Sequence, residues 1–363
     1  MPSNCTTPSR RGPAMSHLLS RLKRPTRTDN APRYTATTGH YESWFIRANH
    51  PTEPKALWLK TTILHRHDGS AIAEAWCALF GIGERPTWVG KATVPVAEAR
   101  FADSRVQAAN CELELGQGTP LTGASATGAV HGQDALQASW KLRSTPAEGA
   151  LATQMSLFPG RWMIDGPFPK NKLLTPAPSV LMTGEIRLGE TRVNVDGWLG
   201  MQGHNWGQAH AFAYAWGHVV FPDAAGRPIC VAEGFSGRIK VAGRATPHLS
   251  ALTVRRGDRR WRFDRLIDLW SQSSQIGDMT WRLRMRGRDG EASIAMKAPP
   301  ESVVCLGYEN PDTSLAYCLN SKLSACVLRV NPIDGDAFEL RTDHLAALEI
   351  LTREPDDRYP VAA

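Results

Sequence analysis

The sequence predicts an all-β protein of many short antiparallel strands, arranged as sandwiches or barrels. Three observations carry this expectation. Turn dipeptides recur between alternating segments, at Asp68-Gly69, Leu188-Gly189, Gly257-Asp258 and Asp289-Gly290, where hairpins would reverse. Beyond residue 33 no window sustains a long amphipathic helix. The stretch His210-Ala211-Phe212-Ala213-Tyr214-Ala215-Trp216-Gly217-His218 alternates between aromatic or titratable residues and Ala or Gly, the period of a β-strand.

At 363 residues the chain is long for one domain and comfortable for two. It is 42% hydrophobic and 21% charged, the balance of a globular protein with ample apolar material for a core. The net charge of +7 is concentrated at one end. Arg10, Arg11, Arg21, Lys23, Arg24, Arg27 and Arg33 face only Asp29 within residues 1–33. The body is therefore close to neutral, which argues against a nucleic-acid partner. Seven cysteines without a C-x-x-C spacing point to reduced thiols and a cytoplasmic protein. No run of eighteen apolar residues offers a membrane span, and no apolar signal region opens the chain.

Taken in order, residues 1–33 are rich in Ser, Thr, Pro and Arg and read as a disordered leader. Met15, Leu18, Leu19 and Leu22 fall at helical spacing there. Peripheral membrane contact through this leader is the most that such a pattern implies. From Tyr34 onward the reading is β. Prolines at 159, 167, 169, 176 and 178 make Phe158 to Ser179 the least strand-like stretch. It divides the chain into domains at 34–178 and 179–355, with a tail at 356–363. The two halves share a faint echo, Ile72-Ala73-Glu74-Ala75-Trp76 against Val231-Ala232-Glu233-Gly234-Phe235. Trp58 and Trp216 precede these by similar intervals, as two copies of one meander would arrange them.

Several standard signatures are absent. Gly234-Phe235-Ser236-Gly237 lacks the spacing of a nucleophile elbow, and Gly81-Ile82-Gly83 lacks the third glycine of a dinucleotide loop. His210 and His218 would lie about 26 Å apart along a strand, too far to share an ion, so no metal is expected. No cofactor is expected either. Gly197 to Gly207 mixes glycine with Trp198, Gln202, His204, Asn205 and Trp206. It reads as a bent loop over a cavity mouth, with His204 and Asn205 as orienting polar groups in an apolar pocket.

The alternating stretch presents His210, Tyr214 and Trp216 on one face and small residues on the other, so it reads as the wall of a cavity in the second domain. Tyr214 and Trp216 could stabilise a transient carbocation through their ring faces. Glu74 and Glu233 sit among apolar neighbours, where burial would raise a carboxyl pKa into the range of a general acid. The arginine-rich run Arg255 to Arg265 reads as a solvated strand edge.

At His204-Asn205-Trp206-Gly207 the sequence resembles the lipocalin-like double-domain group that includes carotenoid hydratase and tocopherol cyclase-like proteins. Further likeness lies in Tyr41-Glu42-Ser43-Trp44-Phe45, in Ala73-Glu74-x-Trp76 and in the strand ending at Trp216. The resemblance implies two calycin-type barrels and chemistry on an isoprenoid or polyene. A double bond would be protonated and the cation captured by water or an internal nucleophile. Carotenoid hydratases usually carry an Asp just before the motif histidine, where this chain has Gly203. That carboxylate's work would then fall to Asp196, Glu233 or Glu74.

The expectation is a cofactor-independent hydratase or cyclase with a hydrophobic small-molecule ligand. His204, Glu233 and Glu74 are the catalytic candidates. Asn205, Trp206, His210, Tyr214, Trp216, Trp76 and Trp58 are the substrate-binding candidates. A non-catalytic lipid carrier would use the same aromatic wall without a tuned acid, and a glycan-binding module ranks last.

Overall fold

A computed structural model describes residues 30–102, 104–116, 122–238, 240–241, 244–265, 268 and 272–363. Most of the basic leader, with its Met15 to Leu22 pattern, lies outside the described residues. Asn30 and Ala31 within it are buried against the body.

The alternating segments form strands throughout. The first twelve are β1 (His40–Asn49), β2 (Ala56–His65), β3 (Ala71–Phe80), β4 (Thr87–Pro95), β5 (Arg100–Ala102) and β6 (Arg105–Ala108), followed by β7 (Cys111–Glu114), β8 (Ala124–His131), β9 (Gln137–Pro146), β10 (Asn171–Leu188), β11 (Thr191–Asn194) and β12 (Trp198–Gly207). They make one antiparallel sheet, ordered β4-β3-β2-β1-β12-β10-β9-β8-β7-β6-β5, with β11 on β10. A bridge from Gly90 to Gly132 brings β4 to the turn after β8, curling the sheet around Trp44, Leu57, Leu79 and Trp198.

The remaining strands are β13 (Ala213–Pro222), β14 (Pro228–Arg238), β15 (Lys240–Val241), β16 (Arg244–Ala245), β17 (Leu249–Arg256) and β18 (Arg259–Phe263), then β19 (Ser273–Gly277), β20 (Thr280–Gly287), β21 (Gly290–Lys297), β22 (Val304–Glu309), β23 (Leu315–Pro332) and β24 (Phe338–Thr352). Apart from the β15-β16 ribbon they form a second antiparallel sheet, β18-β17-β14-β13-β24-β23-β21-β20-β19, with β22 on β23. It wraps around Phe263, Trp281, Met285 and Leu328. The architecture is two consecutive lipocalin-like antiparallel barrels packed together. A short helix, α1 (Arg161–Asp165), lies between β9 and β10. Among the described residues no helix is long and apolar enough to cross a membrane.

The sheets divide the chain later than the prolines suggested. Residue 178 falls inside β10, which still belongs to the first sheet, and the change of sheet comes between Gly207 and Ala213. The prolines mark register breaks between β10 and β12, at Leu174/Ala177 and Ala177/Val180, which bend a strand without ending it. The topology repeats, with β13, β14, β17 and β18 retracing β1 to β4 and with β24 in the place of β12. Glu74 on β3 and Glu233 on β14 are offset by one strand in this repeat, so they are not equivalent positions. Two further expectations are corrected. The glycine-rich stretch is the central strand β12, not a loop, because its glycines admit neighbours at close range. Arg255 is buried and donates to the carbonyls of Ala150 and Gln154 at 3.1 and 2.7 Å, so it ties the second sheet to the β9–β10 connection of the first instead of decorating an edge.

The small-residue face of β13 explains how the second core fits. Gly217 and Gly234 are register partners, and Trp281 lies over both. A Cβ on Gly234 would stand 2.7 Å from Trp281 Cη2. The Trp281 indole is fixed in turn by donating to Ser236 Oγ at 3.2 Å. Gly234→Ala is therefore expected to overpack the site and cost roughly 1–3 kcal/mol, read as a lowered midpoint in urea unfolding.

Candidate functional site

The ladder register sorts the first sheet's side chains into rows, because directly opposed residues share a face. One face turns inward. The other presents Asn205, Ser43, Thr62, Glu74 and Thr93 in one row and Gly203, Phe45, Lys60, Trp76 and Lys91 in the next. A third row holds Met201, Arg47, Trp58, Ala78 and Val89. These rows look at the outer face of the second sheet. Phe45, Trp58, Trp76 and Met201 pack there with Trp216, Leu306, Tyr308 and Ala347 in one shared cluster.

The third row closes the contact. Arg47 is fully buried and crosses between the sheets. Its Nη2 donates to His218 Nδ1 at 2.5 Å, and its Nη1 donates to Asn49 Oδ1 at 2.5 Å and to the Leu345 carbonyl at 3.0 Å. His218 Nε2 donates to the Pro178 carbonyl at 2.9 Å. The ring is thus a neutral tautomer, held so by burial and by Arg47, which push its pKa well down. Beside this clamp Lys322 Nζ donates to Glu349 Oε1 at 2.7 Å.

Toward the first row the sheets part and leave a cavity of about 250 Å3. Its walls include Tyr41, Lys60, Glu74, Trp76, His210 and Tyr308. The His210 ring is sandwiched between Tyr41 at 4.2 Å and Tyr308 at 5.4 Å. Asn310 Oδ1 accepts from both its backbone N–H at 2.9 Å and its Nδ1 at 3.0 Å. Asn310 is oriented by donating its Nδ2 to the Ser314 carbonyl at 3.0 Å. His210 therefore carries its proton on Nδ1 and keeps the Nε2 lone pair. Burial, with Lys60 nearby, pushes its pKa down to about 3, so it is neutral at physiological pH.

Glu74 holds donors on both oxygens. Thr62 Oγ1 and Trp76 Nε1 donate to Oε2 at 3.1 and 3.2 Å, and Lys91 Nζ stands 3.6 Å from Oε1. Tyr41 donates to Asn171 Oδ1 at 2.7 Å, and burial keeps its hydroxyl protonated by raising its pKa. Lys60 Nζ lies over the Tyr308 ring at 3.7 Å. Burial is the main cause that lowers its pKa to about 8.

A second, more apolar cavity of about 170 Å3 opens on the far side of the His210-Ala211 backbone. Leu157, Phe158, Met163, Leu173, Phe235 and Ala251 line it. Asn171, the partner of Tyr41, also lines it, so a single layer of residues separates the two spaces.

The structure thus gathers Glu74, Trp76 and His210 around one cavity. Trp58, Tyr214 and Trp216 belong to the neighbouring inter-sheet cluster. The expected placement inside the second barrel is corrected: the aromatic face of β13 looks outward to the first sheet, and its Ala/Gly face looks into the core. His210 lies in the connection, because β13 begins only at Ala213. Asn205 belongs to the polar first row.

The other candidates lie elsewhere. His204 is fully buried on the inward face of β12, stacked on Trp44 at 4.9 Å and bonded to Glu42 Oε1 at 2.7 Å. Trp206 packs with Ile164 and Leu174 under the Arg33 guanidinium. Neither lines the two cavities. Glu233 is buried at the closed end of the interface, accepting from Thr175 Oγ1 at 2.7 Å and Trp216 Nε1 at 3.0 Å. Burial raises its pKa as anticipated, but it lines neither cavity. Asp196 caps an exposed turn by accepting from the Gly184 N–H at 2.8 Å.

Lys60, Tyr41 and Tyr308 were not among the candidates. Lys60 had a local signal: it stands two residues from Trp58 and from Thr62 among leucines facing the opposite way. Tyr308 had none, since only folding brings β22 to β2.

No family model matches the chain. The uncharacterized protein Rv0493c of Mycobacterium tuberculosis is 26% identical over 300 residues, covering 82% of this chain and 83% of that protein. Among solved structures, kievitone hydratase from Nectria haematococca superposes with a TM-score of 0.53 at 10% identity, covering 89% of this chain and 91% of that one. A protein assigned as AttH from Nitrosomonas europaea gives 0.52 at 13% identity, covering 86% and 92%. CghA in complex with Sch210972 gives 0.52 at 10%, covering 86% and 88%. At these identities the likeness establishes the shared double-barrel fold.

Two predictions concern the residues that carried the sequence resemblance. At Gly203 a Cβ would lie 2.1 Å from Phe45 Cζ. Gly203→Asp should therefore lower stability by roughly 1–3 kcal/mol and give no gain in turnover, measured by thermal melting alongside activity. For Glu42, burial alone would raise the pKa, but hydrogen bonds from His204, His40 and the Arg33 N–H overcome it and bring it to about 2. A depressed carboxyl pKa stabilises the fold above its ordinary value near 4.5, and that contribution is lost as pH falls toward 2. Urea midpoints from pH 6 to pH 2 should show this loss, and Glu42→Gln should flatten it.

Proposed function

We propose that the inter-sheet cavity holds a hydrophobic, unsaturated small molecule of isoprenoid or polyene type. There the protein catalyses cofactor-independent hydration or cyclisation at a double bond. The observation that carries this reading is the convergence of Glu74, His210 and Lys60 with Tyr41, Trp76 and Tyr308 on one buried space. The named relatives of known fold include a hydratase, which supports the same reaction class.

The roles follow from the geometry. Aromatic faces on several sides favour a ligand on which positive charge develops. Glu74, with donors on both oxygens, suits proton exchange at the end of the cavity near Lys91. His210 presents the Nε2 lone pair of a neutral imidazole, which orients water. The oxonium formed when water meets a carbocation is a strong acid, so even a weakly basic imidazole takes its proton. The apolar space beyond His210-Ala211 receives the remainder of the chain.

A carrier reading has one observation in its favour, the almost wholly apolar lining of the second cavity, where Asp264 is the sole titratable residue among the described ones. The two readings separate in heavy water. With geranylgeraniol as the probe, the wild type should incorporate deuterium at carbon or yield a hydrated or cyclised product. Glu74→Gln and His210→Phe should each reduce the rate by about 10²–10⁴ while binding persists. Binding with no incorporation in the wild type would leave the carrier reading standing.

A further inference from the structure

Three lysines approach the inter-sheet cluster, and they are treated differently. Lys322 Nζ is 2.7 Å from Glu349 Oε1. Lys91 Nζ is 3.6 Å from Glu74 Oε1 and lies over the Trp76 ring at 4.4 Å. Lys60 is buried, stands opposite Phe45 and Trp76 in the ladder, and lines the cavity. Among the described residues no carboxylate forms an ion pair with it and no acceptor takes a hydrogen bond from its Nζ. Its neighbours are ring faces, Tyr308 at 3.7 Å and Trp58 at 5.7 Å.

A buried ammonium without a partner is costly, and such a site favours the neutral amine. Burial lowers the Lys60 pKa to about 8, which leaves an appreciable fraction of free base at neutral pH. A neutral amine in a water-poor aromatic pocket is a nucleophile.

We propose that Lys60 captures a carbonyl group of the bound ligand as an imine, so that the natural ligand is an α,β-unsaturated aldehyde or ketone with an apolar tail. This rests on the cavity being the ligand site. In the capture step the Nζ lone pair forms a C–N bond to the carbonyl carbon, and the C=O π pair moves to oxygen, which takes a proton. The carbinolamine oxygen then leaves as water while nitrogen donates its pair to form C=N. His210 shares the Tyr308 ring with Lys60 and serves as the relay for these protons. The protonated imine withdraws electrons from the conjugated double bond and opens the β-carbon to water or an internal alkene. Adding water back across C=N restores the amine and the carbonyl, so no oxidant, reductant or cofactor is consumed. Conjugate activation also lowers the demand on Glu74, which otherwise has to protonate an unactivated double bond.

The experiment compares all-trans-retinal with all-trans-retinol, which shares its hydrocarbon and lacks the carbonyl. Both are incubated with the wild type, sodium cyanoborohydride is added, and peptides are mapped by mass spectrometry. The expected result is a reduced retinal adduct on Lys60 in the wild type and no adduct from retinol. In Lys60→Met the adduct at this site is lost and total labelling falls at least 10-fold, while retinol still binds, read by tryptophan quenching. Lys91→Met keeps the adduct on Lys60. Labelling spread over surface lysines, equal in the wild type and Lys60→Met, would overturn the proposal with retinol binding intact. Failure of the wild type to bind retinol would instead remove the cavity reading, and the capture with it. Site mapping in the wild type decides the matter even where a variant folds poorly.

Discussion

The Arg47 side chain fixes how the two halves of this protein meet. It leaves the first sheet, buries its guanidinium completely and is satisfied mainly by the second sheet, through His218 and the Leu345 carbonyl. Breaking such a contact would strand a buried cation, at a cost of about 3–5 kcal/mol by the behaviour of buried pairs. The sheets therefore cannot slide past one another cheaply. With Arg47 anchored, Phe45 and Ser43 on the same strand stand at set distances from the clamp. Packing is tight at the Trp58 and Trp216 level and opens at the Ser43, Thr62 and Glu74 level. The cavity is what remains where a polar row finds no matching side chains opposite.

Burial drives the site's electrostatics with opposite results, according to the donors each group finds. Glu42 lies in a dry place, yet three donors converge on it and it stays ionised. Glu233 accepts only from Thr175 and Trp216 among the described residues, and burial prevails to raise its pKa. Lys60 and His210 find aromatic rings instead of counter-charges and are pushed toward neutrality. Barrel 1 thus uses its carboxylate–imidazole pair to hold Trp44 and Trp206 in place, while the inter-sheet space offers a ligand a neutral imidazole and a lysine that is in part free base.

Much of the fold was legible because turn dipeptides and period-two alternation survive in the sequence. Which face of a strand is inside was not, since both faces of β13 are buried and alternation alone does not distinguish core from interface. The same ambiguity made Gly197 to Gly207 look like a loop, although its glycines serve close approach, as at Gly203 beneath Phe45. Glu74, Trp76 and His210 were readable as chemistry-bearing residues in strand context. Tyr308, Asn310 and the Arg47–His218 clamp depend on contacts between distant strands, which leave no local pattern. The His204 motif carried the family likeness, but its geometry is that of packing inside the first barrel.

The most direct test of the inter-sheet site is to fill it. Ser43 lines the cavity, and its Oγ has no hydrogen-bond partner among the described residues, so replacing it forfeits no bond. Isothermal titration of Ser43→Phe with all-trans-retinol should show affinity reduced at least 10-fold, with the melting temperature held within a few degrees of the wild type. Unchanged retinol affinity in a folded Ser43→Phe variant would contradict the placement of the ligand between the two sheets.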